Sequence, residues 1–286
     1  MSARRIRPAL VLKLGGELLE QPEDIDRVAR GIAALARTSR LVVVHGGGKE
    51  IDAALKRAGI EKRQVDGLRI TDELTLDVVV SVLAGAINTR FVAALSAAGV
   101  LAVGLTGADG RCGLADLAPA HRTLDGQTVD LGRVGIPSDA GDTHVLTTLM
   151  RDRFVPVIAC IGLERDGRLL NVNADTFAGH LAARLKARRL VIAGTTRGVL
   201  DGAGATVAVL EPSALAQLIE ERTATAGMIA KLRACEYALA SGVTDVVIVD
   251  GRDRAALEAA VLGTAPPTAT RLIPAGAKTC ATTGGA

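Results

Sequence analysis

The chain has 286 residues, 49% of them apolar and 23% charged, with a formal net charge of +3; that is enough apolar chain for one large α/β domain or two lobes sharing a sheet, and it excludes a disordered protein. Aromatic residues make up 1%, with no Trp, one Tyr and three Phe, so the core is built from Ala, Val, Leu and Ile, and stacking platforms for single-stranded nucleic acid are all but excluded. The weak positive excess suits an anionic small ligand and is no footprint of DNA binding.

Arg4, Arg5 and Arg7 form a small basic cluster that reads as a solvated tail. The cysteines at 112, 160, 235 and 280 lack any Cys-x-x-Cys spacing, which indicates neither a zinc site nor a disulfide framework. Cys160 and Cys235 read as buried small hydrophobes. Reduced cysteines fit a cytoplasmic protein. No signal-peptide core is visible, and no apolar run of ~20 residues is free of charge, so no membrane span is expected.

Strand-like runs alternate with helical patterns along the chain. Leu10–Leu14 is followed by a helix around Asp24–Thr38, and Leu41–Val44 by one around Lys49–Ala58. The stretch Arg63–Thr71 mixes polar and apolar residues and reads as a hairpin or flap. A long helix, Leu74–Ala98, leads into Val100–Leu105, expected as a buried strand. Glycines and alternating apolar residues over Ala115–Pro137 suggest short hairpins projecting from the sheet edge. A helix around Asp142–Asp152 precedes Val155–Ile161, and Ala/Leu-rich helices precede the buried strands Leu190–Ala193 and Asp245–Val249. The tail Lys278–Ala286 is small and polar. Apolar runs separated by helices imply a mostly parallel sheet covered on both faces, a three-layer αβα sandwich whose ligands sit at the carboxyl ends of its strands. Residues 1–161 and 162–286 are expected to form two lobes of one continuous sheet.

Three strand-to-turn junctions concentrate glycine and polar groups. Lys13 precedes Gly15-Gly16, where a lysine can neutralise phosphate charge; a plain βα turn has the same appearance. His45-Gly46-Gly47-Gly48 is permissive backbone able to form a nest of N–H groups, and it matches neither the Walker A nor the Rossmann pattern. His45 itself reads as structural. In Asn171-Val172-Asn173-Ala174-Asp175, an N-cap explains one of the three polar residues but not all of them. Helix starts attract anions. Two further cations stand out: Arg69 in the flap, whose fork matches a carboxylate, and Lys231 a turn into a helix that opens at Thr225–Gly227.

Taken together and in this order, Val11-Leu-Lys-Leu-Gly-Gly, Val44-His-Gly-Gly-Gly, Gly67-Leu-Arg-Ile-Thr, Asn171-Val-Asn-Ala-Asp and Gly227-Met-Ile-Ala-Lys231 resemble the amino acid kinase family, from about Leu10 to Ile273. The Gly-Leu-Arg and Asn-Val-Asn-Ala-Asp segments resemble its N-acetyl-L-glutamate branch. The resemblance implies a carbamate kinase-like fold, an N-terminal lobe (1–161) for the acyl amino acid and for dimerisation, and a C-terminal lobe (162–286) for ATP. It implies ATP-dependent phosphorylation of the side-chain carboxylate, with Mg2+ bound to the nucleotide. Lys13 and Lys231 would contact the transferring phosphoryl group and Asp175 would organise them. Gly15, Gly16, Gly46, Gly47 and Gly48 would donate N–H groups, the first two on the nucleotide side and the others on the substrate side. Arg69 and Asn171 would grip the α-carboxylate and amide region, and Thr195, Gly198 and Gly227 would contact the nucleotide.

The chain departs from the family at Gly194–Arg197, where the usual acidic residue is missing, and at Ala269-Thr270, where Gly-Thr usually precedes the last strand. About nine residues precede the first strand, too few for the helix that links arginine-inhibited relatives into hexamers, so a homodimer without arginine feedback is expected. Docking of a PII-type regulator, seen in some relatives, is left open. Two alternatives remain at this point: a kinase of N-acetyl- or carrier-linked 2-aminoadipate, and a ligand-binding homologue without chemistry. UMP kinase, aspartokinase and carbamate kinase fit less well, because Gly67-Leu68-Arg69 is not their signature.

Overall fold

A computed structural model describes residues 9–123, 126–220 and 226–274. The Arg4/Arg5/Arg7 cluster, Thr225, Cys280 and the tail from Lys278 lie outside the described residues.

The first half lays down β1 (Ala9–Leu14), α1 (Pro22–Ala36), β2 (Arg40–His45), α2 (Gly48–Arg57) and the hairpin β3 (Gln64–Val65) with β4 (Leu68–Arg69). Next come α3 (Glu73–Val80) and α4 (Asn88–Ala97), then β5 (Ala102–Thr106), the short strands β6 (Ala115–Leu117), β7 (His121–Arg122), β8 (Thr128–Val129) and β9 (Val134–Pro137), and α5 (His144–Arg151). The second half adds β10 (Val155–Ala159), β11 (Ile161–Leu163), β12 (Leu169–Val172), α6 (Ala174–Arg184), β13 (Arg189–Gly194), β14 (Val209–Leu210), α7 (Pro212–Glu220), α8 (Ala226–Ala240), β15 (Val246–Asp250), α9 (Arg254–Leu262) and β16 (Ala269–Leu272).

Eight strands form one sheet in the order β14-β16-β15-β13-β1-β2-β10-β5. Its neighbours run parallel except β15 and β16. The central strands are buried over nearly their whole length, Arg40 at the start of β2 being half-buried, and are rich in Val, Leu and Ile, because helices cover both faces. Ala269 and Thr270 lie inside β16 rather than before it. β5 was expected to be buried, yet it is half-exposed, because it is the edge strand with no neighbour on its outer side among the described residues.

The long helix of the first half is continuous over Glu73–Ala97, but a π-helical segment, Ser81–Ile87, separates α3 from α4. By length and composition Glu73–Ala97 could cross a membrane; instead it packs on α1, α2 and β5, and 39% of its most apolar stretch is buried.

The flap is the β3–β4 hairpin, closed by Asp66-Gly67 with φ of 46° and 79°. Both central residues have positive φ, which an Asp-Gly pair tolerates and which matches the twist of a two-residue hairpin turn. The Ala115–Pro137 stretch does form short hairpins, β6 with β9 and β7 with β8, and β9 continues through β12 to β11 in a second sheet of four strands.

Candidate active site

The strand register builds the site. Lys13 of β1 is level with Ile192 of β13 on one side and Val44 of β2 on the other. The turns after these three strands therefore emerge side by side at the carboxyl edge of the sheet, where parallel folds hold ligands. Two of them touch: a Cβ on Gly16 would lie 2.7 Å from the Gly47 Cα, so neither turn could approach the other with a side chain at Gly16. Gly47 itself sits against Leu83 and Ile87, where a Cβ would fall 2.1 Å from Ile87 Cδ1.

A cleft of about 570 Å³ opens over these turns. Lys13, Gly15, Gly16, Gly46, Gly47 and Gly48 line its floor. Arg69, Asn171, Thr195, Gly227, Lys231 and Asp175 line it as well, Arg69 bonded to Asp52 on α2 and Lys231 to Asp175 on α6. Gly198 does not reach it: with φ of 75° it packs against Thr270, 2.4 Å from Thr270 Oγ1 if it carried a Cβ, and the next residue's N–H donates to that hydroxyl at 2.7 Å. Gly198 is thus a packing glycine between the β13 turn and β16. The amides are also not equivalent. The Gly15 N–H donates to Ala193 O at 2.8 Å and the Gly46 N–H to Leu14 O at 3.3 Å, which laces the turns together. Gly16, Gly47 and Gly48 stand at helix starts, where N–H groups lack intrahelical acceptors.

Asn173 is the N-cap of α6; its side-chain oxygen accepts from the Asp175 and Thr176 N–H groups at 2.9 and 3.1 Å. The cap fixes the first turn and aims Asp175 inward, where it is buried. Its carboxylate meets both lysines. Lys13 Nζ lies 2.9 Å from Oδ1, and Lys231 Nζ lies 3.3 Å from Oδ2 and 3.5 Å from Oδ1. Gly179, a turn further along α6, makes this possible. A Cβ there would fall 2.7 Å from Ala234 O, so glycine lets α6 and α8 close together and carries Lys231 to Asp175.

Electrostatics follow from this packing. Burial opposes the charged form of Asp175, but Lys13 and Lys231 outweigh it and hold the carboxyl below the usual carboxylate range. Burial and the nearby Lys13 charge lower Lys231 from its ordinary value, against the pull of Asp175. Two ammonium groups share one carboxylate, so the trio retains one uncompensated positive charge facing the cleft. His45 takes no part: it is fully buried, burial pushes it down to about 4, and it accepts at Nε2 from Asn88 Nδ2 at 3.0 Å. Cys160 and Cys235 are buried too, and burial pushes both thiols up, Cys160 to about 12.

At the other end Arg69 donates through Nη2 to Asp52 Oδ1 and to Gly48 O. Asn171 Nδ2 donates to Thr71 Oγ1 at 3.1 Å, which ties β12 to the foot of the flap. Sequence reasoning missed Asp52 and Lys62, which pair at 2.8 Å and line the same end. Asp52 could have been found as the residue one turn into the helix that follows the glycines. Lys62, beside Arg63 ahead of the flap, gave no signal that set it apart from a surface charge. The β13 turn lacks an acid, and Arg252 from the neighbouring turn braces it, donating to Thr195 O at 2.9 Å while paired with Asp250.

A cleft at a parallel-sheet edge, with lysines from both halves of the chain converging on one carboxylate, is the architecture of an acid-phosphorylating transferase. The chain belongs to the amino acid kinase family, whose profile matches residues 8–250. It is 42% identical over 252 residues to the acetylglutamate kinase of Novosphingobium aromaticivorans, a match covering 85% of this chain and 83% of that one. Among solved structures it is similar to an N-acetylglutamate synthase from Neisseria gonorrhoeae complexed with coenzyme A and N-acetyl-glutamate, at a TM-score of 0.79 and 26% identity; the match covers 94% of this chain but 60% of the synthase. It shares its fold with a carbamate kinase from Giardia lamblia bound to AMP-PNP, at a TM-score of 0.68 and 16% identity, covering 96% of this chain and 100% of that one.

Proposed function

We propose that the chain transfers the γ-phosphoryl group of ATP to the side-chain carboxylate of N-acetyl-L-glutamate, giving N-acetyl-L-glutamyl 5-phosphate, a step of arginine biosynthesis. The meeting of Lys13 and Lys231 on Asp175 carries this reading. A carboxylate nucleophile is ionised near neutral pH, so no general base is needed. Catalysis then reduces to position and charge. The lysines stabilise the oxygens of the phosphoryl group in flight, Asp175 keeps the two ammonium groups from repelling each other apart, and the helix-start amides of Gly16, Gly47 and Gly48 add hydrogen bonds where charge builds up.

Residues 1–161 hold the acyl amino acid in this reading and residues 162–286 hold ATP. Arg69 takes the α-carboxylate; its buried Nη1, which has no partner among the described residues, supports this. Asn171 shares that end across the division. Gly194, Thr195, Gly227 and Met228 face the nucleotide, with Gly198 supporting the turn from behind. Mg2+ enters with ATP. Phosphate oxygens and water would carry the ion, as suits a small hard cation.

We also infer a cytoplasmic homodimer. The edge position of β5 and the exposed apolar residues near it, Leu74 on the long helix at 67% and Leu101 just ahead of β5 at 59%, are features of the kind that a second copy covers. Light scattering that gives a monomer would remove the dimer. ADP release measured side by side with N-acetyl-L-glutamate and N-acetyl-2-aminoadipate tests the chemistry. Faster turnover of the glutamate compound is expected; preference for the longer acid would move the substrate, and no release with either would leave a binding protein.

A further inference from the structure

The acceptor end carries a second cation whose placement has a consequence for substrate choice. Asp52, on α2, accepts from Arg69 Nη2 at one carboxylate oxygen and from Lys62 Nζ, at 2.8 Å, at the other. The protons of Arg69 Nη2 are both directed at acceptors, Asp52 Oδ1 and Gly48 O. Nη1 is buried and has no acceptor among the described residues. Lys62 has a single carboxylate partner there, and an ammonium has three protons. Both cations line the cleft.

A substrate carboxylate offers two oxygens, and Nη1 can serve only one of them without breaking the Asp52 contact. The other oxygen needs a second donor, and Lys62 is held beside the first by the same aspartate. Two cations and one anion leave a single positive charge, which matches one carboxylate. We propose, resting on the function above, that Arg69 and Lys62 together bind the α-carboxylate of the acyl amino acid, and that Asp52 is the positioning residue that keeps them in register. Lys62 is then a specificity residue that selects a free acid over an uncharged amide at this carbon. As a plain surface ion pair, the Asp52–Lys62 contact would have no influence on substrate choice.

The test compares N-acetyl-L-glutamate with its α-carboxamide in the full-length chain and in Lys62→Met, Lys62→Gln, Lys62→Arg and Asp52→Asn. The unaltered chain should prefer the acid strongly in kcat/KM. Lys62→Met and Lys62→Gln should each cut that preference about tenfold, the size of one charge-assisted hydrogen bond. The loss should fall in KM for the acid, and Lys62→Arg should recover most of it. Asp52→Asn should raise the same KM, and adding Lys62→Met to it should cost less than the two changes separately, because they act on one grip. Preference retained in full by both Lys62→Met and Lys62→Gln overturns the inference and leaves the kinase function standing. No turnover of N-acetyl-L-glutamate by the unaltered chain overturns the function and the inference with it.

Discussion

The two ends of the cleft are built on opposite plans. At the phosphoryl end, Lys13 and Asp175 are buried, Lys231 is partly buried, and both lysines are already paired with the one carboxylate. At the acceptor end, Asp52, Lys62 and Arg69 are partly open to solvent, and one guanidinium nitrogen has no partner among the described residues. A finished cluster of charge acts where charge shifts during reaction; an unfinished one waits for a ligand to complete it. The first should therefore control turnover and the second binding.

The severest way to break this contrast is Asp175→Ala, which leaves the buried Lys13 and the partly buried Lys231 ammonium groups facing each other. Loss of a buried partner of this kind costs about 3–5 kcal/mol, and urea unfolding should show it. The pH dependence has a fixed sign. The folded Asp175 carboxyl lies below its ordinary value of 3.8, so its contribution is complete above that value and fades as pH falls below it. The difference in unfolding free energy between the unaltered chain and Asp175→Asn should stay flat from neutral pH to about 4, then shrink in more acid solution. A difference that grows on acidification would mean that Asp175 is not the ionised partner of the lysines.

Lys13→Ala and Lys231→Ala come next. Each should lower kcat by about 10²–10³, as for a lost oxyanion donor, with modest change in KM for the acyl amino acid. Near-normal turnover of Lys231→Ala would place the chemistry elsewhere. At the acceptor end Arg69→Met should act through KM, raising it about 10- to 100-fold, as for one lost charged hydrogen bond. A fall in kcat instead would erase the distinction between the ends. The smallest effect is in alkaline solution. Burial and Lys13 lower Lys231, so turnover should begin to fall at a pH below the ordinary lysine value of 10.5. A kcat that stays level past that value would mean that Lys231 keeps no functional proton.

The trio and the flap differ in how far they were legible. Lys13 near the end of β1, Asp175 in the first turn of α6 and Lys231 in the second turn of α8 each sit in a distinctive local motif, and the family resemblance assigned them to one site. Gly198 sits in a motif of equal appearance yet faces Thr270, because a positive φ turns its backbone toward β16. Gly15 and Gly46 lie in the right turns, but their N–H groups are consumed by neighbouring strands. Asp52 and Lys62 lie outside every quoted motif, and the loop after α2 and the β4 residue Arg69 meet at Asp52 only in the folded chain.

The order of strands and helices, the parallel buried sheet and the polar turns at its carboxyl edge followed from the sequence alone, since apolar periodicity and glycine placement act over a few neighbouring residues. The tertiary structure decided which turn amides bond to neighbouring strands, how closely α6 approaches α8 at Gly179, and which cations share an aspartate. Those outcomes depend on distances between segments far apart in the chain, and local residue preferences do not encode such distances one residue at a time.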